Sequence, residues 1–98
     1  MKQLTISIDY DNTFTADPCL WSGFINASKS AGHNIVMITA RRDTEENSDL
    51  INTDLDVWQC QIPVFFSNLG SKTELARKLG LNVDIWIDDN IPALLNGY

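Results

Sequence analysis

Positive charge is scarce in this sequence. Seven Lys and Arg stand against thirteen Asp and Glu, a formal net charge of −6, and DNA or an anionic membrane surface would reward the opposite balance. Neither is an expected partner. An acidic protein can still bind phosphate when a metal ion offsets the repulsion. Cysteine is scarce as well: Cys19 and Cys60, widely spaced, read as two reduced thiols rather than a disulfide or half a zinc site. No apolar run approaches the roughly 18 residues of a membrane span. Met1-Lys2-Gln3 runs straight into a strand pattern without a leader signal, so the expected location is the cytoplasm. Repeats, linkers and low-complexity tracts are also missing, and 98 residues suit a single domain.

What is present is an alternation of short apolar runs and helical patterns. Leu4 to Ile8 reads as a buried strand that ends abruptly in Asp9 and Asp11. Asp17-Pro18 is an N-cap followed by proline at the first helical position, and Leu20, Phe24, Ala27 and Ala31 recur at helical spacing up to Gly32. Ile35 to Thr39 is a second continuous apolar run. Asp43 with Glu46 resembles a capping box for a second helix with Leu50, Ile51 and Leu55 to bury. Gln61 to Ser67 is strand-like, but Pro63 cannot donate to a ladder and assigns it to an edge. Ser71-Lys72-Thr73-Glu74 is a capping box opening a helix over Leu75, Ala76 and Leu79 that stops at Gly80. Val83 to Asp89 is a fourth strand ending in paired acids, and Ile91 to Asn96 a short terminal helix. Four strand–helix repeats with short loops predict an α/β fold of right-handed βαβ units: a three-layer α/β/α, Rossmann-like domain with a mostly parallel sheet of about four strands.

The chemistry falls at the strand ends. Asp9 and Asp11, Thr39, and Asp88-Asp89 each close an apolar run, at the carboxyl edge where open α/β sheets bind ligands. Lys72 sits at a helix start, where backbone N–H groups already favour an anion. Carboxylates converging on one edge repel one another unless a divalent cation lies between them, and an all-oxygen donor set suits Mg²⁺.

These residues give the chain a specific resemblance. Ile6-Ser7-Ile8-Asp9-Tyr10-Asp11-Asn12-Thr13 is similar to the first motif of the haloacid dehalogenase (HAD) superfamily of phosphatases, a strand followed by Asp-x-Asp-x-Thr. Ile35 to Thr39, Lys72, and Ile85 to Asp89 resemble its second, third and fourth motifs in order. The resemblance implies that Asp9 is the nucleophile and forms an aspartyl phosphate. It implies that Asp11 is the general acid and base, and that Thr39 and Lys72 hold the phosphoryl group. Asp9, Asp88 and Asp89, with Asp11 through its backbone carbonyl, would hold Mg²⁺. Asn12 and Thr13 complete the first motif and are expected to line the substrate site. Arg41 and Arg42 either grip a substrate phosphate or carboxylate, or pair with Asp43, Glu45 or Glu46 on the surface. Asn12 to Ala16 and Asn68 to Gly70 are too short to carry the family's cap domain, so the chain resembles a minimal capless form.

The expected activity is hydrolysis of a phosphate monoester, with a phosphorylated small molecule, nucleotide or nucleotide-like, as substrate. The alternative is a protein that keeps the same pocket to capture such a molecule without turnover. An open site and a small core also predict a homo-oligomer, with Trp21 and Trp58 as interface anchors. His33 reads as a polar turn residue.

Overall fold

The computed structural model describes residues 2–98. Four strands form one all-parallel sheet: β1 (Thr5–Ile8), β2 (Asn34–Thr39), β3 (Val64–Phe66) and β4 (Ile85–Ile87), in the order β3-β2-β1-β4. Four helices alternate with them: α1 (Pro18–Ser30), α2 (Glu45–Val57), α3 (Lys72–Leu79) and α4 (Ile91–Asn96). Among the described residues, no helix is long and apolar enough to cross a membrane.

Period-2 alternation along β2 divides the interior into two layers. Ile35 and Met37 join Ile6 and Ile8 of β1 against Ile25 of α1 and Ile51 and Leu55 of α2. Val36 and Ile38 point the other way, against Ala76 and Leu75 of α3 and against Trp86. Helices therefore cover both faces of the sheet, as the alternation predicts. The chain builds outward from β1 to β2 to β3, then α3 carries it across the opposite face to β4 on the far side of β1. The strand order thus reverses between β1 and β4, and the crevice beyond their carboxyl ends is the topological switch point where such sheets bind ligands.

Local chemistry sets most boundaries. Asp17 caps α1 by accepting the Leu20 N–H, with Pro18 at the first helical position. Ser71 caps α3 by accepting from Glu74, and Gly80 ends it at φ 72°, a left-handed conformation that glycine takes without strain. β3 lies at an edge, as Pro63 predicts, and it starts at Val64, just past the proline. His33 is the expected turn residue; its Nδ1 accepts the Leu4 N–H at 3.0 Å.

Three helical expectations need correction. α1 buries Ile25 and half-buries Trp21 and Phe24, while Leu20, Ala27 and Ala31 are exposed. Leu20 and Trp21 lie about 100° apart on a helix, so seating the larger Trp21 and Ile25 turns Leu20 and the two alanines outward. Thr44, not Asp43, caps α2; its Oγ1 accepts the Asn47 N–H, and Leu50 is left exposed one position from the buried Ile51. Leu79 at the last turn of α3 is likewise exposed.

Candidate active site

Both strands that flank the switch point end in an aspartate. The Asp9 backbone N–H continues the ladder by donating to Ile87 O at 2.9 Å, which ties the end of β1 to the end of β4. Beyond Asp9 the chain turns sharply: Asn12 takes φ 63°, and the N–H groups of Phe14 and Thr15 donate back to the carbonyls of Asp9 and Tyr10. Asparagine tolerates this left-handed conformation better than a bulkier residue would. The turn returns Thr13 over Asp9, and the Thr13 hydroxyl donates to Asp9 Oδ2 at 3.2 Å.

Lys72 completes the group from the opposite layer. As the first residue of α3 its backbone sits over the sheet edge, and its ammonium donates to Asp9 Oδ1 and to Asp88 Oδ2, both at 2.6 Å. All three side chains are at most 7% exposed. Asp88 also accepts the Asn90 N–H through Oδ1 at 2.9 Å, which fixes the entry to α4 and orients the carboxylate. Carboxylate oxygens of Asp9, Asp88 and Asp89 lie within 4.8 Å of one another.

Burial pushes the Asp9 carboxyl up to about 7, against the pull of Lys72, and the neighbouring Asp89 and Asp88 raise it further. Burial lowers the Lys72 ammonium, but its bonds to Asp88 and Asp9 outweigh that and leave it above its ordinary value. Three carboxylates facing one ammonium lack positive charge, and a divalent cation is the natural complement. Oxygens around Mg²⁺ at about 2.1 Å are about 3.0 Å apart when adjacent and about 4.2 Å when opposite, so the three carboxylates are close enough to close on one ion with small side-chain shifts. Asp9, Asp88 and the exposed Asp89 are the residues that could hold the ion.

The remaining expected residues do not all join them. Both Asp11 oxygens accept from Arg41, Nε to Oδ2 and Nη2 to Oδ1, at 2.9 Å each, so the Asp11 carboxylate stands outside the cluster. Thr39 is fully buried, and its hydroxyl oxygen accepts the Arg41 backbone N–H at 3.2 Å. Arg41 thus pairs with Asp11 rather than with Asp43, Glu45 or Glu46, while Arg42 is exposed. Asn12 and Thr13 line a depression of about 330 Å³ beside the cluster, together with Trp21, Ile87, Asp88 and Asp89. No protein-family model, curated protein or solved structure matches the chain.

Sequence reasoning missed three participants. Trp21 forms a wall of the depression, steadied edge-on by Phe24 at 5.8 Å. Tyr10 lies under the Arg41 guanidinium, 5.5 Å from it, and donates its hydroxyl to Asp54 at 3.0 Å. Asn47 accepts from Arg41 Nη1 at 2.9 Å. Reading the α2 cap one residue later, as Thr44-x-x-Asn47, would have placed Asn47 in the first turn of that helix, near the end of β2.

Proposed function

We propose that this chain is a Mg²⁺-dependent phosphatase of the HAD type, hydrolysing a phosphate monoester through an aspartyl phosphate. One observation carries the reading: a buried lysine bridges Asp9 and Asp88 at 2.6 Å each, with Asp89 alongside, at the point where the strand order reverses. A structural salt bridge needs one carboxylate. Two buried on one ammonium, with the exposed Asp89 beside them, leave negative charge in excess, which a cation and an anionic ligand that share the site would explain.

In this mechanism Asp9, oriented by Thr13 and Lys72, attacks phosphorus from the side opposite the ester oxygen. The P–O ester bond breaks as the Asp9–P bond forms, and the leaving oxygen takes a proton from Asp11. Asp11 then accepts a proton from the water that cleaves the acyl phosphate, which regenerates Asp9 and releases phosphate. Lys72 offsets charge on the phosphoryl group and on Asp9. Asp9, Asp88 and Asp89 would hold Mg²⁺, and the ion would supply the further positive charge that lets an anionic nucleophile approach an anionic ester.

A second reading, capture of a phosphorylated molecule without turnover, is favoured by the position of Asp11, whose two oxygens are occupied by Arg41. Phosphate release from a panel of phosphorylated metabolites, nucleotides and phosphopeptides, with and without Mg²⁺, separates the two when binding is measured in parallel. The expected result is Mg²⁺-dependent release that Asp9→Asn abolishes. Residual turnover of Asp9→Asn within about tenfold of the parent, a gap of about 1.4 kcal/mol, overturns the nucleophile assignment. Tight binding with no release by the parent establishes the second reading.

A further inference from the structure

The Arg41 guanidinium is held from three sides. Tyr10 lies beneath it, Asn47 accepts from Nη1, and Asp11 fills the fork formed by Nε and Nη2. The first two supports are fixed parts of the fold: Tyr10 is buried and anchored to Asp54, and Asn47 is in the first turn of α2. The third differs, because Asp11 follows the end of β1 in a turn and its side chain is 46% exposed, with that of Arg41 at 32%. The planar fork of an arginine matches any carboxylate or phosphate edge. Here the fold prepares such a fork and an internal carboxylate occupies it.

Exchange of that carboxylate is a like-for-like replacement. A ligand anion seated in the same fork regains the two charge-assisted bonds that Asp11 gives up, and the half-exposed Asp11 side chain can turn to water. The Lys72 pairs, buried on every side, have no such freedom. Asp11 is two residues from Asp9, which puts their Cα atoms at most about 7 Å apart, so Lys72 and Arg41, which bind these two carboxylates, serve adjoining parts of one strand end. A ligand whose phosphate reaches Lys72 could extend a second anion to Arg41.

We propose that Arg41 is a receptor for a second anionic group on the ligand, and that the Arg41–Asp11 pair is its resting state. The favoured ligands carry a phosphate and, within a few bonds, a carboxylate or another phosphate. Their second anion displaces Asp11. If the phosphatase reading holds, on which this consequence rests, displacement frees Asp11 for proton transfer. Binding energy from a non-reacting part of the substrate then completes the catalytic group. Esters with a single anionic group leave Asp11 on Arg41 and react slowly.

The test is an equilibrium measurement, independent of turnover. Titration calorimetry in Mg²⁺ compares phosphonoacetate, which carries phosphonate and carboxylate, with methylphosphonate, which lacks the carboxylate. The intact protein is expected to prefer phosphonoacetate by about tenfold or more, a gap of about 1.4 kcal/mol. Arg41→Gln should abolish the preference, and Asp11→Asn, which weakens the internal competitor, should increase it several-fold. Arg41→Lys, which keeps the charge without the fork, should retain only part of it and provides the comparison if Arg41→Gln does not fold. Equal affinity for the two probes, no binding of either at millimolar concentration, a preference that survives Arg41→Gln, or an Asp11→Asn variant with no increase overturns the proposal. Phosphate release reports separately on the reaction: its absence would refute the phosphatase reading and leave the anion preference to be decided by calorimetry alone.

Discussion

Lys72 and Asp9 meet at 2.6 Å although 63 positions separate them in the chain. One comes from the first turn of α3, the other from the end of the central strand β1, and the contact is sealed from water on both sides. Such a pair resists removal of one partner more than removal of both, because the survivor is left as an uncompensated buried charge.

Lys72→Met is therefore expected to destabilise the metal-free protein by about 3–5 kcal/mol. At about 4–8 °C per kcal/mol for a domain of this size, the melting temperature should fall by more than about 12 °C. Mg²⁺ should restore part of the loss, because it can take over charge compensation at Asp9 and Asp88. Circular-dichroism melts in EDTA and in Mg²⁺ check both statements. A variant that melts within about 4 °C of the parent in EDTA would contradict the buried-pair assignment.

Asp84 gives a pH dependence distant from the cluster. The Thr5 backbone N–H and Lys2 hold its carboxyl below the ordinary 3.8. The folded chain thus binds this proton less readily than the unfolded one. The contribution to stability is present above the ordinary value and lost as pH falls through the folded one. In urea titrations, Asp84→Asn should be less stable than the parent at about pH 6, and the gap should narrow as the pH falls below the ordinary 3.8. A gap that is unchanged across that range would argue against the assignment.

The two thiols should differ in reactivity. Cys19 is exposed, whereas Cys60 is fully buried, and burial followed by the charge of Asp54 pushes its thiol up. Ellman's reagent is expected to modify Cys19 quickly in the native protein and Cys60 only after unfolding. Rapid reaction of both would mean that the region around Cys60 opens, and reaction of neither would point to a disulfide.

A homodimer is expected through the outer face of α2, where Leu50, Val57 and Trp58 are 48%, 71% and 38% exposed. Trp21, drawn in beside the candidate site, is the weaker of the two anchors suggested by sequence. Light scattering at micromolar concentration should report twice the 11.0 kDa chain mass, and Trp58→Asp should return it to the monomer. A monomeric parent would refute this arrangement.

The strand ends were legible because their signal is local: an apolar run stops and an acid follows. Asp9, Asp88 and Asp89 converge because parallel strands all end at one edge, so topology alone brings them together. Lys72 was legible from its capping box. The position of Asp11 was not. Two-residue spacing places Asp9 and Asp11 on one side of an extended strand, but the ladder stops at Asp9 and the chain turns, which carries Asp11 to Arg41 instead. The buried face of α1 was misplaced for a related reason. Periodicity allowed more than one face, and the volume of Trp21 and Ile25 decided between them.

The central position of β1 also has a consequence for synthesis. Its partner β2 follows within about one βαβ unit, so that half of the sheet can pair while the chain is still being made. Its other partner, β4, is made only after β3 and α3. Pairing across that separation closes a long loop, the slow kind of contact in folding. Until it closes, Asp9 has neither its ladder bond to Ile87 nor Asp88 beside it. A nascent chain can therefore carry Asp9 in a half-built sheet well before the acidic cluster around it is assembled, and any ligand that needs the whole cluster would select the chains in which β4 has docked.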